Sequence, residues 1–171
     1  RTIAGDVERG YLQSWNFIIE KKLPSNLVTT VGYVGTATIR SFADWEANAA
    51  SPGAGNSGRP FAARFGRTAS TLYWSGWANT NYHSLQVTLN RQFSNGLLLK
   101  GAYTWSKAIN MTDDDGWAGM TFNYLPHLNR NRARAGYDIP HNFQMGFVYD
   151  LPFGRGPRMA SSGVPAALLG G

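Results

Sequence analysis

Five stretches of the chain alternate polar and apolar residues with a period of two. Residues 81–93 are the clearest. Leu85, Val87, Leu89 and Phe93 fall on one side, and Ser84, Gln86, Thr88, Asn90 and Gln92 on the other. Successive side chains of a strand point to opposite faces, whereas a helix would mix the two sets, so this pattern predicts a β-strand. Ser94-Asn95-Gly96 follows, a tight-turn sequence whose residues take positive φ at little cost. Residues 97–107 then carry Leu97, Leu99, Gly101, Tyr103 and Trp105 on one face, with Lys100, Ala102, Thr104 and Ser106 opposite. Together they predict a hairpin with one apolar and one polar face.

The N-terminal region repeats the plan. Residues 11–23 set Trp15, Phe17 and Ile19 against Ser14, Asn16 and Glu20; Leu23-Pro24-Ser25-Asn26 turns the chain; residues 27–35 carry Leu27, Val31 and Tyr33 on one face. This is a weak internal repeat of hairpins. The fifth strand, residues 141–151, places Phe143, Met145, Phe147, Tyr149 and Leu151 opposite Asn142, Gln144, Gly146 and Asp150. It ends in a turn at residues 152–156, and Ala166 to Leu169 read as the start of a sixth strand.

The connections alternate in length. Those near Pro24 and Asn95 are short, and those at about 36–80 and 108–140 are long. Outer-membrane barrels have this rhythm of short periplasmic turns and long extracellular loops. A soluble sandwich would rarely use two loops so long. Strands of about 9–11 residues or slightly more suit a tilted membrane crossing. Tyr11, Trp15, Tyr33, Tyr82, Phe93, Tyr103, Trp105 and Tyr149 gather near strand ends, as interfacial girdles require. The expected fold class is all-β: antiparallel hairpins of an outer-membrane up-and-down β-barrel, about five strands plus the start of a sixth, in the bacterial outer membrane.

Composition agrees. Charged residues make up 15% of the 171, against about 25% in soluble domains. No run of about 18 apolar residues exists, so no transmembrane helix is expected. A mean hydropathy of -0.30 fits a barrel, because lumen-facing polar residues dilute the apolar ones. There is no cysteine, hence no disulfide framework or thiolate metal site. The net charge is +6, but the basic residues are scattered except near Arg130, so nucleic acid is not expected as a partner. The chain opens without an apolar leader segment, and a mature form or an internal fragment is expected.

Several runs resemble the barrel of TonB-dependent receptor-like proteins that carry an N-terminal carboxypeptidase-regulatory-like domain. They are Tyr82-His83-Ser84-Leu85-Gln86-Val87 with Arg91-Gln92-Phe93-Ser94-Asn95-Gly96, then Ala102-Tyr103-Thr104-Trp105-Ser106-Lys107. Tyr11-Leu12-Gln13-Ser14-Trp15-Asn16-Phe17 with Val31-Gly32-Tyr33-Val34-Gly35 is a further pair. Pro140-His141-Asn142-Phe143 with Tyr149-Asp150-Leu151-Pro152-Phe153-Gly154-Arg155-Gly156 completes the set. The ordered set covers all five strands. The resemblance implies uptake of a bulky nutrient by a whole receptor, of which these residues hold neither the plug, the energy-coupling box nor the closing strand. Its partners would be outer-membrane lipid and the remainder of the barrel and plug. Alone, the chain would expose two unpaired strand edges and is expected to aggregate, associate with copies of itself or find another packing.

The candidate site residues lie in the long connections. Tyr73, Trp74 and Trp77, with Trp117, form aromatic platforms that could stack on sugar rings or serve as packing anchors. Arg130, Arg132 and Arg134 could contact lipid phosphate or substrate, or remain a solvated loop. Asp113, Asp114 and Asp115 are weak candidates for a cation, since EF-hand spacing is missing. His83, His127 and His141 lack zinc spacing. Gly53-Ala54-Gly55-Asn56-Ser57-Gly58 fits the dinucleotide fingerprint without its flanking strand and helix. No cofactor and no catalytic residue is expected. A soluble β-rich module binding carbohydrate or a protein partner is the first alternative. A serine-type hydrolase is the second, although no nucleophile elbow surrounds Ser75, Ser161 or Ser162.

Overall fold

The computed structural model describes residues 2–3, 5–114 and 120–150. Asp115, Trp117, Leu151, the turn at 152–156 and the expected sixth strand lie outside the described residues. The elements are β1 (Thr2–Ile3), β2 (Tyr11–Leu23), β3 (Leu27–Glu46), α1 (Pro60–Phe65), β4 (Leu72–Ser94), β5 (Leu97–Asn110), β6 (Ala133–Arg134) and β7 (His141–Tyr149). One sheet orders them β2-β3-β4-β5-β6, with β7 also on β5 and β1 parallel to β4. The fold is all-β and mostly antiparallel, as the alternation required. The chain divides into two compact units, and each long strand contributes a stretch to both.

One unit comprises Ile18–Gly32, Gln86–Thr104 and the described part of Asn142–Gly171. It holds both short-turn hairpins. Ser25 and Asn26 take φ of 64° and 58°, and Asn95 and Gly96 take 52° and 77°. Two consecutive left-handed residues twist a hairpin in the sense its strands need, which is why Asn and Gly stand there. The apolar faces read from the sequence are exposed: on β7, Phe143 is 68% and Phe147 64% accessible. Such a face suits hydrocarbon rather than water. The opposite face holds a cavity of about 350 Å³ whose lining includes Thr88, Asn90, Lys100 and Gln144, the polar set of the alternation.

The other unit comprises Arg1–Phe17, Tyr33–Leu85 and Trp105–His141 in their described parts. Here the expected boundaries change. β3 runs to Glu46 and β4 begins at Leu72, so the connection expected at about 36–80 is confined to residues 47–71. Likewise β5 reaches Asn110, and the connection expected at 108–140 contains a 3-10 helix (Leu125–Asn131) and β6. The added strand length lacks a period of two for a physical reason. Aromatics pack on both of its faces: Phe42 tilts against Trp74 at 4.9 Å and Trp45 meets Tyr73 edge-on at 5.3 Å. A left-handed residue, Arg40 (φ 57°), also interrupts β3. Its amide donates to Asn79 Oδ1 rather than to a ladder carbonyl, as at a bulge. Ala43, Ala78 and Met111 form a small core here, covered by Trp77.

Candidate ligand-facing surface

The connection 47–71 is built around two buried polar side chains. Glu46, 8% exposed, ends β3 and accepts through Oε1 from the amides of Asn48 (2.9 Å) and Thr71 (2.7 Å), while Oε2 accepts from the Ser70 hydroxyl. Asn48 is fully buried. Its Nδ2 donates to the carbonyls of Arg67 and Ala69, both at 3.0 Å, and its Oδ1 accepts from the Phe61 amide at 2.8 Å. Arg59 Nη1 donates to the Asn48 carbonyl at 3.1 Å. A buried polar group costs stability unless paired, so a cluster this fully paired fixes one loop conformation. The glycine-rich run 53–58 opens into a 3-10 turn and the six-residue helix α1, with no strand feeding it. That arrangement lacks the geometry of a phosphate-binding turn.

The second connection encloses a cavity of about 330 Å³ whose lining includes Met111, Asp113, Asp114, Phe122, Arg130 and Arg134. Asn131 folds the chain beneath it, donating to the carbonyls of Phe122 (2.8 Å) and Leu128 (3.0 Å) and accepting from the Phe122 amide (3.0 Å). The return segment then fastens to β5. β6 pairs antiparallel with it, and Asp138 Oδ1 takes the Ala108 amide at 2.8 Å in place of a ladder carbonyl. Pro140 O accepts from the Ser106 amide at 2.9 Å, and from there the chain enters β7.

Asp113 latches the two sides of this connection. Its Oδ1 accepts from Asn110 Nδ2 at 2.7 Å and from the Gly136 amide at 2.9 Å. The Asn110 bond, then the Gly136 bond, hold its carboxyl below the ordinary value of 3.8, against a smaller opposing effect of burial. A depressed folded pKa means the latch is fully present above the ordinary value and is lost as pH falls through the folded one. Hydrogen exchange of the Gly136 amide should therefore be slow at pH 7 and accelerate, beyond its intrinsic pH dependence, only below about pH 4. Asp113→Asn should remove that extra acid step.

The expected site residues fall into groups: Asp113, Asp114, Arg130 and Arg134 line one cavity, and the other described ones lie outside it. Tyr73, Trp74 and Trp77 were expected in a loop; they stand in β4. Their rings pack against β3, and Trp77 Nε1 donates to the Ala43 carbonyl at 3.0 Å. Of the arginines, Arg130 and Arg134 line the cavity, Arg134 Nε also pairing with Asp138 at 3.2 Å, and Arg132 Nη2 donates to Asn81 Oδ1 at 2.7 Å. Two of the three arginines therefore share one cavity, and Arg132 is engaged on β4 instead. Asp113 and Asp114 share the cavity, yet no three His, Asp or Glu side chains among the described residues converge on a metal position. Ser75 Oγ accepts from Trp45 Nε1 at 3.0 Å, a packing role. Sequence reasoning missed Glu46, Asn48, Asn131 and Asp138. Their only signal was a polar residue beside a long connection, which is common in loops.

The described lining of this cavity sets two carboxylates and two guanidinium groups beside Met111, Met120 and Phe122, a composition that suits a polar ligand. Over residues 1–171 the chain matches the family of the outer membrane beta barrel domain. No curated protein and no solved structure matches it significantly.

Proposed function

The chain belongs to the outer membrane beta barrel domain family, and from that premise we propose that it is barrel wall of a TonB-dependent receptor-like transporter. It is a bacterial outer-membrane protein. In this reading the long connections present the ligand-facing surface, and the transported molecule is a bulky nutrient. The partners are outer-membrane lipid and the remainder of barrel and plug, with self-association when the chain is alone. The observation that carries the reading is the asymmetry of the connections. Turns of two or three residues, each with two left-handed residues, close the short connections, whereas residues 47–71 are held by a buried Glu46–Asn48 network. Uptake of a bulky molecule needs a structured recognition surface, whereas passive diffusion needs only an open lumen.

Two measurements test this. The purified chain should show a β signal by circular dichroism and disperse only in mild detergent; a monodisperse species in plain buffer would favour a soluble β-rich binding module. Cells carrying the protein should accumulate at least one member of a panel of fluorescent oligosaccharides and chelated nutrients, and a protonophore should abolish accumulation. Accumulation indifferent to the protonophore would indicate a passive channel and sink the receptor reading.

A further inference from the structure

The apolar face of the sheet is not uniform. Within the unit that carries the long connections, it holds a cavity of about 420 Å³ whose lining includes Tyr33, His83, Leu85, Trp105, Lys107 and Arg134. The first five share the side of the alternation that carries Val87, Leu89, Leu97 and Leu99, the side that faces hydrocarbon in a barrel. Aromatics frame it. Tyr33 hydroxyl and His83 Nδ1 are 2.8 Å apart, with their rings nearly parallel at 16°. Trp15 leans on the same imidazole at 6.1 Å, seated over Gly35, where any side chain would strike its indole. Rings with an apolar body and a polar tip settle at the level of lipid headgroups. Along β3, β4 and β5 these positions adjoin the stretches that lead to the long connections, which places them at the outer leaflet.

Two cations stand at this level. Lys107 is exposed at the cavity. Arg134 meets Asp138 through Nε, and its side chain is 61% exposed, so the Nη edge of the guanidinium remains a donor face. A lining that joins apolar Leu85 and Trp105 with cationic Lys107 and Arg134 complements a molecule with acyl chains and a phosphate. The outer leaflet of a bacterial outer membrane consists of such a molecule, a phosphorylated, multiply acylated glycolipid. We propose that this cavity is a seat for that lipid, with acyl chain on Leu85 and Trp105 and phosphate between Lys107 and Arg134. The proposal rests on the barrel reading and adds to it a specific site. Arginine grips phosphate through paired N–H groups and lysine as a point charge, so a phosphate here gains both modes.

The test titrates the protein, purified from outer membranes in mild detergent, with bis-phosphorylated lipid A, its dephosphorylated form and phosphatidylglycerol, read by native mass spectrometry. The wild type should bind the phosphorylated glycolipid about tenfold more tightly than the dephosphorylated form. Lys107→Glu and Trp105→Ala should each weaken that binding by about tenfold, while Lys100→Glu, on the opposite face of β5, should not. Equal binding of the two glycolipids, or full binding by Lys107→Glu, overturns the proposal. A preference for phosphatidylglycerol also overturns it, by assigning the cavity to a glycerophospholipid. Failure of the barrel reading shows elsewhere: such a protein would stay dispersed without detergent, whereas failure of the site alone leaves a detergent-dependent barrel with no lipid preference.

Discussion

Asn48→Ala should unfasten residues 47–71 while leaving the membrane-crossing strands in place. The side chain serves three backbone groups: the Phe61 amide and the carbonyls of Arg67 and Ala69. Each buried group left without a partner costs about 1–3 kcal/mol, so the expected loss in the loop is about 3 kcal/mol or more. Asn48→Asp is the sharper variant. It keeps the shape and the acceptor for Phe61, but replaces two donors with a carboxylate aimed at two carbonyls, beside the Glu46 carboxylate. It should therefore open the loop at least as far as alanine does. Limited proteolysis within residues 51–59, with hydrogen exchange at Phe61 and Thr71, reads the effect. Sites cut rapidly in both variants and slowly in the wild type support the clamp; unchanged cutting in Asn48→Asp refutes it. If the long connections recognise a ligand, both variants should also lose uptake without loss of folded barrel.

The same residues show what the sequence could and could not disclose. β2 occupies Tyr11–Leu23, β5 begins at Leu97 and β7 at His141, where the alternation placed them. A strand between lipid and a polar lumen must alternate, and two-residue turns must recruit Asn and Gly, so chemistry imposes the pattern locally. Beyond the apolar band that constraint lapses. Tyr73, Trp74 and Trp77 looked like a loop because aromatics at neighbouring positions violate alternation; in fact β3 and β4 pack rings on both faces. The Glu46–Asn48 network was illegible for a different reason. Its members are separated by up to 25 residues and bind mostly backbone groups, which carry no sequence signature. The arginines were legible as a cluster in sequence; in space Arg130 and Arg134 line one cavity, whereas Arg132 is directed to Asn81. The cavity at Tyr33, His83 and Trp105 was half visible: its aromatics were expected as a girdle, but Arg134 lines it with Lys107 because Asp138 and Pro140 fasten the return segment to β5.

The second large effect is expected at the Arg40 bulge, where opposite substitutions should have opposite signs. The Arg40 carbonyl projects towards two glycines. A Cβ on Gly76 would lie 2.9 Å from it, and a Cβ on Gly10 would come closer still. The obstacle is backbone, which cannot swing aside as a side chain would. Gly10→Val or Gly76→Val must displace β3 from its neighbour, and overpacking of this kind costs about 3 kcal/mol. Arg40 itself holds φ of 57°, a conformation that costs a residue with a Cβ about 1–2 kcal/mol. Arg40→Gly relieves that strain. It forfeits the ion pair with Glu8 (2.8 Å), whose side chains are 48% and 64% exposed, so screening leaves that pair worth about 0–1 kcal/mol. The net expectation is a barrel as stable as the wild type or more so. Urea unfolding in detergent, followed by the heat-dependent gel shift of folded barrels, measures all three variants. Midpoints lowered for both valines and unchanged or raised for Arg40→Gly would establish the bulge as a packing device. A valine tolerated at both positions would show instead that β3 has room to relax, and that Arg40 takes its conformation for the sake of the Glu8 and Asn79 contacts.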